Sequence, residues 1–376
     1  MRRVKFGDVV KRVNIYVDRF NTDRLYYVGK GGSIEPNALD IKPQAKIKGA
    51  TIGFKFHFGF DPGHILFMSR CFDQHKAATA TFAGVCSDST YVVETRDENV
   101  LLQRYLQLVM QSDDFWNWCE EHKSGGVNFL INYSTLETYE FTLPSLSEQK
   151  VLADKLWAAY RVKESYKKLL AATDDMLKAK FMEMFRKEKL IPLKEVCETL
   201  IDGDWIESKH QTDSGIRLIQ TGNIGVGEYK NKIDKARFID DNTFNMLGCK
   251  EVLPGDILIS RLPEPVGRAC IIPEGLGKAI TAVDCTIIRL KKCLLSLFFI
   301  GYTKTDYYNK QIISFISGTT RLRISRGNLE TVKVPLPPLP LQQQFVEIAT
   351  QAEATKESLR KSIENIDQVI KSLINQ

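Results

Sequence analysis

Phe141-Thr142-Leu143-Pro144-Ser145-Leu146 closes the first half of this 376-residue chain, and Val334-Pro335-Leu336-Pro337-Pro338-Leu339 closes the second. Working outward, Leu136-Glu137-Thr138 has a counterpart in Leu329-Glu330-Thr331, and Ser124-Gly125-Gly126 has one in Ser317-Gly318-Thr319. All three pairs lie 193 residues apart (317 − 124). Farther upstream, Pro62-Gly63-His64-Ile65-Leu66-Phe67-Met68-Ser69-Arg70 returns after 192 residues (254 − 62) as Pro254-Gly255-Asp256-Ile257-Leu258-Ile259-Ser260-Arg261. Solenoid repeats have periods of roughly 20–50 residues. This is a duplication of domain size, which predicts two similar globular ends acting on a target with two parts.

The length suits about two domains of roughly 100–200 residues each. An apolar content of 43% is ordinary for a protein with packed cores. The richest apolar stretch, 294–300, is far short of the ~20 residues of a membrane helix. No apolar segment follows Met1-Arg2-Arg3-Val4-Lys5, so a signal peptide is not expected, and the expectation is a soluble cytoplasmic protein. The cysteines at 71, 86, 119, 197, 249, 270, 285 and 293 form no C-x-x-C pair. Cys71 and His75 lack a second ligand pair, so buried free thiols are expected and no metal. The net charge is +6 but unevenly spread: residues 1–76 carry 14 basic and 7 acidic groups, and residues 77–146 carry 3 and 10. A basic face beside an acidic one suits a protein that lays one side on a polyanion.

Each half reads as a mixed, strand-rich region, a proline-marked exit and a long helix, which makes the fold class α+β. The predicted segments are 1–146, a helix over 147–186, 187–340, and a helix over 341–376. Strands are expected at Ile65–Met68, Tyr91–Glu94, Asp256–Ser260 and Thr286–Leu290, and single helices over Val100–Trp118 and Leu295–Ser314. The last helix has a heptad pattern with Phe345, Ala352, Leu359, Ile366 and Leu373 on one row and Ile348 and Val369 on the other, widened by Ile363 and Ile370. Subtracting 193 gives Leu152, Ala159 and Tyr166 on one row of the first helix and Val162, Leu169 and Met176 on the other. The matched stripes predict that the two helices pair as a coiled coil. A helix of ~40 residues spans roughly 60 Å and can act as a spacer.

Catalytic motifs are scarce. The sequence has no G-x-x-x-x-G-K-[ST] phosphate loop, no G-x-G-x-x-G after a strand, no Asn-Pro-Pro-aromatic tetrapeptide, no G-x-S-x-G and no H-E-x-x-H. Asp213 with Glu228-Tyr229-Lys230 loosely resembles a metal-nuclease triad, a spacing that chance supplies often. Residues suited to base edges and phosphates are plentiful. The first half offers Lys55, His57, Arg70, Gln74, His75 and Lys76. The second offers His210, Gln211, Arg217, Gln220, Asn223, Tyr229, Lys230, Arg261 and Arg268. The densest cluster runs through Thr319, Thr320, Arg321, Arg323 and Arg326, whose arginines alternate with apolar residues as on a strand with one wet face. Its first-half counterpart, 124–129, has no arginine, so the two ends are expected to read different sequences.

The Pro-Gly-x-Ile-Leu turns, Ile219-Gln220-Thr221-Gly222-Asn223-Ile224, Ser317-Gly318-Thr319-Thr320 and the leads 336–345 and 143–149 into the long helices resemble the specificity subunit of type I restriction–modification systems. The resemblance covers essentially the whole chain. It implies two target-recognition domains separated by two long antiparallel coiled-coil helices with a pseudo-two-fold internal repeat, each domain reading half of a bipartite, asymmetric double-stranded DNA target. It also implies two modification subunits that carry S-adenosylmethionine and methylate adenine, and restriction subunits that use ATP and Mg²⁺, with no cofactor and no catalysis in this chain. The halves depart from each other at His64 against Asp256 and at Ser145 and Ser147 against Pro338 and Pro340. Three alternatives stay open at this level: a two-domain coiled-coil scaffold in a non-restriction phage-defence or protein- or RNA-binding complex, a nuclease built on Asp213, Glu228 and Lys230, and a specificity subunit that serves methylation or phage defence without restriction. If the helix is a spacer, inserting four residues within 165–180 changes the gap between methylated half-sites and leaves the half-sites themselves alone. An unaltered gap in methylation mapping refutes that role.

Overall fold

A computed structural model of the chain describes residues 2–29, 33–70, 72–127, 129–318 and 321–375. It divides into two compact units, Met1–Lys167 with Arg360–Gln376, and Lys168–Leu359. The boundary therefore falls inside the two long helices, Leu146–Phe185 and Leu339–Ile374, and not at their ends. Among the described residues no helix is long and apolar enough to cross a membrane.

In the first unit, one five-stranded sheet runs in the order Val10–Arg12, Thr90–Thr95, Ile65–Met68, Ala77–Ala80, Asp40–Ile41. A second runs Ile15–Tyr16, Phe56–Phe60, Gly84–Ser87, Tyr26–Val28, Ala45–Lys46. The second unit has two four-stranded sheets: Cys197–Asp202, Cys285–Leu290, Ile257–Ser260, Ala269–Ile271, and Phe238–Ile239, Ile216–Ile219, Ala279–Thr281, Glu251–Val252. All four expected strands are present. In both units a short antiparallel pair joins the entry to the exit: Arg2–Lys5 with Glu140–Leu143, and Leu190–Pro192 with Lys333–Pro335. The second core gathers Phe181, Phe185, Phe298, Phe299, Tyr302, Tyr308 and Phe345. Each such side chain stabilises the fold by roughly 1.5–3 kcal/mol relative to exposure.

The expected single helices are each broken in two, into Gln103–Val109 with Asp113–Glu121, and Ser296–Thr303 with Asp306–Ser314. Ser112 and Thr305, 193 residues apart, cause the breaks. Ser112 Oγ accepts from Phe115 N at 3.1 Å, and Thr305 Oγ1 accepts from Tyr308 N at 3.2 Å, so each caps a new helix. Apolar periodicity runs through both breaks and hides them.

Glutamines 193 residues apart join each helix pair to the long helix that follows. Gln149 and Gln342 are fully buried. Gln149 accepts from Leu102 N at 2.9 Å and donates to Val100 O and Pro144 O, both at 3.0 Å. Gln342 accepts from Leu295 N at 2.9 Å and donates to Cys293 O at 2.9 Å and Pro337 O at 2.8 Å. Leu102 and Leu295 have no side-chain cap of their own, so the glutamine satisfies the helix entrance from outside.

At the His64/Asp256 departure, an ion pair in the second unit is replaced in the first by a histidine–carboxylate contact. Asp256 accepts from Leu253 N at 2.8 Å to close the Pro-Gly turn, and takes Arg289 in two contacts at 2.8 and 3.1 Å. That hydrogen bond raises the Arg289 pKa. In the first unit His64 Nδ1 accepts from Asp61 N at 2.9 Å, and its Nε2 lies 3.5 Å from Glu94. The frame keeps a side-chain acceptor at the turn and a contact to the neighbouring strand, while the chemistry of the pair changes.

The helix faces differ in part from the heptad expectation. Phe345, Ala352 and Leu373 are buried; Ile348, Leu359 and Ile366 are half-buried; Val369 is exposed. On the first long helix Leu152, Ala159 and Tyr166 are only half-buried, whereas Val162, Leu169 and Met176 are 42%, 48% and 47% exposed. The buried row lies elsewhere, at Ala153, Leu156, Tyr160, Leu177, Phe181 and Phe185. The reason is packing on the globular cores: Ala153, Leu156 and Tyr160 enter the first core, and Phe181 and Phe185 the second. Helix also meets helix within each unit. Lys163 pairs with Asp367 in the first, and Lys356 meets Asp174 at 2.6 Å in the second, each lysine and each aspartate having its counterpart 193 residues away. Burial opposes the charge on Lys356, but Asp174 and Glu353 outweigh it and raise its pKa. In the second unit Phe181 and Phe345, 5.0 Å apart, fix an antiparallel direction together with the Asp174–Lys356 contact.

Gln342→Ala leaves one amide N–H and two carbonyls without partners in a dry site, at roughly 1–3 kcal/mol each before water enters. The expected loss is about 2–5 kcal/mol, with faster amide exchange at Leu295, whereas exposed Gln343→Ala shifts stability by under ~0.5 kcal/mol. Unchanged Leu295 exchange in Gln342→Ala refutes the clamp.

Candidate nucleic-acid interface

The arginine cluster does not form a strand. Ser317 and Arg323 exchange two backbone hydrogen bonds, 3.0 and 2.9 Å, closing a tight loop with Gly318 at φ 108°. A Cβ on Gly318 would lie 2.5 Å from Arg321 O, so the turn needs glycine. Ser325 then caps the helix Arg326–Thr331 by accepting from Asn328 N at 3.1 Å. Of the alternating apolar residues only Ile324 is buried; Leu322 is 48% exposed. Competition from the Ser317 pairing and the Ser325 cap defeats the strand pattern. Thr319 and Thr320 lie outside the described residues.

The first unit builds the same loop. Ser124 and Leu130 exchange backbone bonds at 2.8 and 3.0 Å, with Gly125 at φ 103°. In the same register Asn128 and Leu130 stand where the second loop has Arg321 and Arg323, so this loop has no arginine, and it exposes Val127 (92%) and Phe129 (40%). Beside it, a groove of about 440 Å³ is lined by Arg70, Phe72, Asp73, Glu120, Lys123, Val127 and Phe129. One scaffold thus presents an apolar tip in one unit and a cationic tip in the other.

The second-unit cations separate by burial. Arg321 and Arg326 have side chains 69% and 47% exposed, held 3.5 Å from Asp284 and 4.0 Å from Asp202, with Glu330 3.3 Å from Arg326. Exposed pairs of this kind are worth ~0–1 kcal/mol, so exchanging a carboxylate for a phosphate costs little. Arg323 is exposed. Lys230 is exposed, 3.6 Å from Glu228. Arg261 is buried instead: it donates to Val283 O at 2.7 Å and lies 3.4 Å from Asp202, which also accepts from Thr286 Oγ1 at 2.9 Å. Arg268 donates to four backbone carbonyls, Ile224 at 2.6 Å and Leu262, Pro265 and Thr221 at 2.8 Å each. Burial lowers its pKa. Arg217 is buried over Phe238 with its Nε unpaired. Asn223 is buried, with its Oδ1 accepting from Gln220 N and its Nδ2 donating to Lys230 O, both at 2.9 Å. Arg217, Gln220, Asn223, Arg261 and Arg268 are therefore placed to shape loops from inside rather than to face a ligand.

In the first unit Arg70 is exposed, and Lys55 is exposed 3.9 Å from Asp88. His57 is half-buried beneath Tyr16. Lys76 is 3% exposed and does not reach the surface as expected. The backbone also corrects the alignment of the turn–strand motif. Ile131 N donates to Ser69 O and Ile324 N to Arg261 O, so Arg261 corresponds to Ser69, not Arg70. Among the described residues no three His, Cys, Asp or Glu side chains gather to hold a metal ion, and the Asp213 triad forms no such group.

Residues 187–368 match the type I restriction modification DNA specificity domain. The second half of the chain thus carries this domain, and the curated relatives of the chain are type I specificity subunits. The MjaX and MjaVIII specificity subunits of Methanocaldococcus jannaschii are 25% and 22% identical to it, each over 65% of this chain. The chain spans 60% and 62% of the length of those two relatives. Two solved structures share the fold across 99% of the chain. One is a chain from a study of type I system assembly and conformational transition (18% identity, TM-score 0.59, 96% of that chain). The other is the S subunit from M. genitalium (12% identity, TM-score 0.54, 94% of that chain).

Sequence reasoning missed the exposed rings Tyr16, Phe20, Phe54 and Trp205, because composition does not report which aromatics stay outside. Arg268→Ala strips four carbonyls of their donor and is expected to cost about 2–4 kcal/mol in urea unfolding, while Arg323→Ala stays within ~0.5 kcal/mol. Equal losses in the two variants contradict the division into loop-holding and ligand-facing arginines.

Proposed function

We propose that this chain is the non-catalytic, sequence-specific DNA-binding subunit of a cytoplasmic type I complex, and that each unit reads one half of a bipartite, asymmetric duplex target. The observation that carries the proposal is the shared Ser-Gly loop with unlike tips: Val127 and Phe129 in one unit, Arg321 and Arg323 in the other. A conserved frame with divergent contact groups is what reading two different half-sites requires. Arginine suits guanine edges and phosphates, and an apolar tip suits a thymine methyl group.

The partners in this reading are two modification subunits, which supply S-adenosylmethionine and the adenine methylation chemistry, and restriction subunits, which supply ATP- and Mg²⁺-dependent cleavage. The exposed row Val162, Leu169 and Met176 supports a partner helix on the first long helix. The exposed arginines support salt-sensitive binding, since each phosphate neutralised releases counterions.

Co-expression with a modification subunit followed by adenine-methylation mapping tests the proposal. A split motif is expected, with both halves fixed and the middle free, and substitution of Arg321, Arg323 and Arg326 together alters one half only. A continuous motif, or no methylation dependent on this chain, refutes the function. Equal loss of both halves in the triple variant assigns those arginines to general phosphate binding or folding.

A further inference from the structure

We propose that Tyr16, Phe20 and Phe54 form a separate DNA-contact surface on the first unit, an aromatic edge that wedges against base steps in a groove of the duplex while Arg19 and Lys55 meet phosphates. The inference rests on the DNA-reading function above and adds a surface which that function does not require.

The three rings are 74%, 71% and 76% exposed and belong to none of the unit's core clusters. Tyr16 ends the strand Ile15–Tyr16, Phe20 lies on the loop that follows it, and Phe54 lies on the loop that precedes the strand Phe56–Phe60; the two loops are tied together. Val17 N donates to His57 O at 2.9 Å, and Arg19 Nε donates to Ile52 O at 3.2 Å. The Tyr16 ring lies parallel to His57 at 6.2 Å and packs on Phe58 at 5.2 Å, while the Arg19 guanidinium sits 4.4 Å from the Phe20 ring. The ring of Tyr16 and the cation beside Phe20 are thus held by neighbours, which limits the entropy lost on binding.

The charges favour a polyanion. The stretch 41–60 carries lysines at 42, 46, 48 and 55 and no carboxylate. Against them stand Asp18, which accepts from Phe20 N at 2.9 Å, and exposed Asp23; Lys42 is held by Glu164 at 2.7 Å and Asp88 holds Lys55 only loosely at 3.9 Å, so the excess of cations rests on Lys46, Lys48 and Lys55. Protein-docking patches are depleted of lysine, whereas here Lys55 adjoins Phe54, and rings flanked by cations suit a surface that wedges into a DNA groove. The second unit repeats the placement: Trp205, 73% exposed, follows the strand Cys197–Asp202 as Tyr16 follows the paired strand Val10–Arg12.

The test uses the full chain assembled with its modification subunits. The probes are a 40-bp duplex of about four helical turns carrying the mapped motif and a scrambled duplex of equal length. Combined Tyr16→Ala, Phe20→Ala and Phe54→Ala is expected to weaken binding by about 10-fold or more, with far-UV circular dichroism and subunit assembly unchanged. Arg19→Gln with Lys55→Gln is expected to flatten the salt dependence of binding, and keeps the test open if the triple variant fails to fold. Wild-type affinity and salt slope in the folded variants overturn the proposal. Lost assembly with the modification subunits at unchanged DNA affinity overturns it in favour of a protein-docking patch. A wild-type complex that binds neither duplex overturns the DNA-reading function itself, not this surface alone.

Discussion

The buried amides of Gln149 and Gln342 are the points on which each unit turns. A long helix leaves a globular core in a defined direction only if its first turn is fixed to that core. Apolar packing fixes it loosely, because methyl groups slide. An amide that accepts from one backbone N–H and donates to two carbonyls has one position, and any rotation of the helix strands all three groups in a dry site. That is why a polar residue occupies a fully buried site beside Phe298, Phe299 and Phe345.

The duplicated frame preserves geometry more strictly than chemistry. Both units close the Pro-Gly turn with a side-chain acceptor and anchor that side chain to a partner strand. One uses His64 and Glu94, the other Asp256 and Arg289. The Ser-Gly loop follows the same logic, with one backbone bridge and one left-handed glycine under unlike tips. Geometry of this kind is set by backbone hydrogen bonds, which any side chain tolerates if the glycine is kept. The tips are free to diverge.

Arginine in the second unit does two jobs that look identical in sequence. Arg268 grips four carbonyls and holds the 221–224 loop against the 262–265 loop, so its charge is spent internally. Arg321 and Arg326 lean on carboxylates at 3.3–4.0 Å and remain mostly wet. Removing the first kind damages the fold, and removing the second kind changes what the surface meets. A polyanion can displace a wet, weakly held carboxylate but not four short backbone bonds.

The sequence by itself determined the duplication, the α+β class, the four principal strands and the two long helices, because each rests on local pattern: repeated motifs, β-branched runs and uninterrupted heptads. It marked the Ser-Gly positions as repeated but read the second as strand-like, and only the Ser317–Arg323 and Ser124–Leu130 pairings revealed the loops. Only the tertiary structure decided which face of the first long helix is buried. Tyr160, Phe181 and Phe185 are drawn into the globular cores, and Val162, Leu169 and Met176 are left outside. Only it separated Arg268 from Arg321 and showed Lys76 buried while Tyr16, Phe20 and Phe54 are not. Burial is a property of neighbours distant in the chain, and a heptad or a charge pattern carries no information about them.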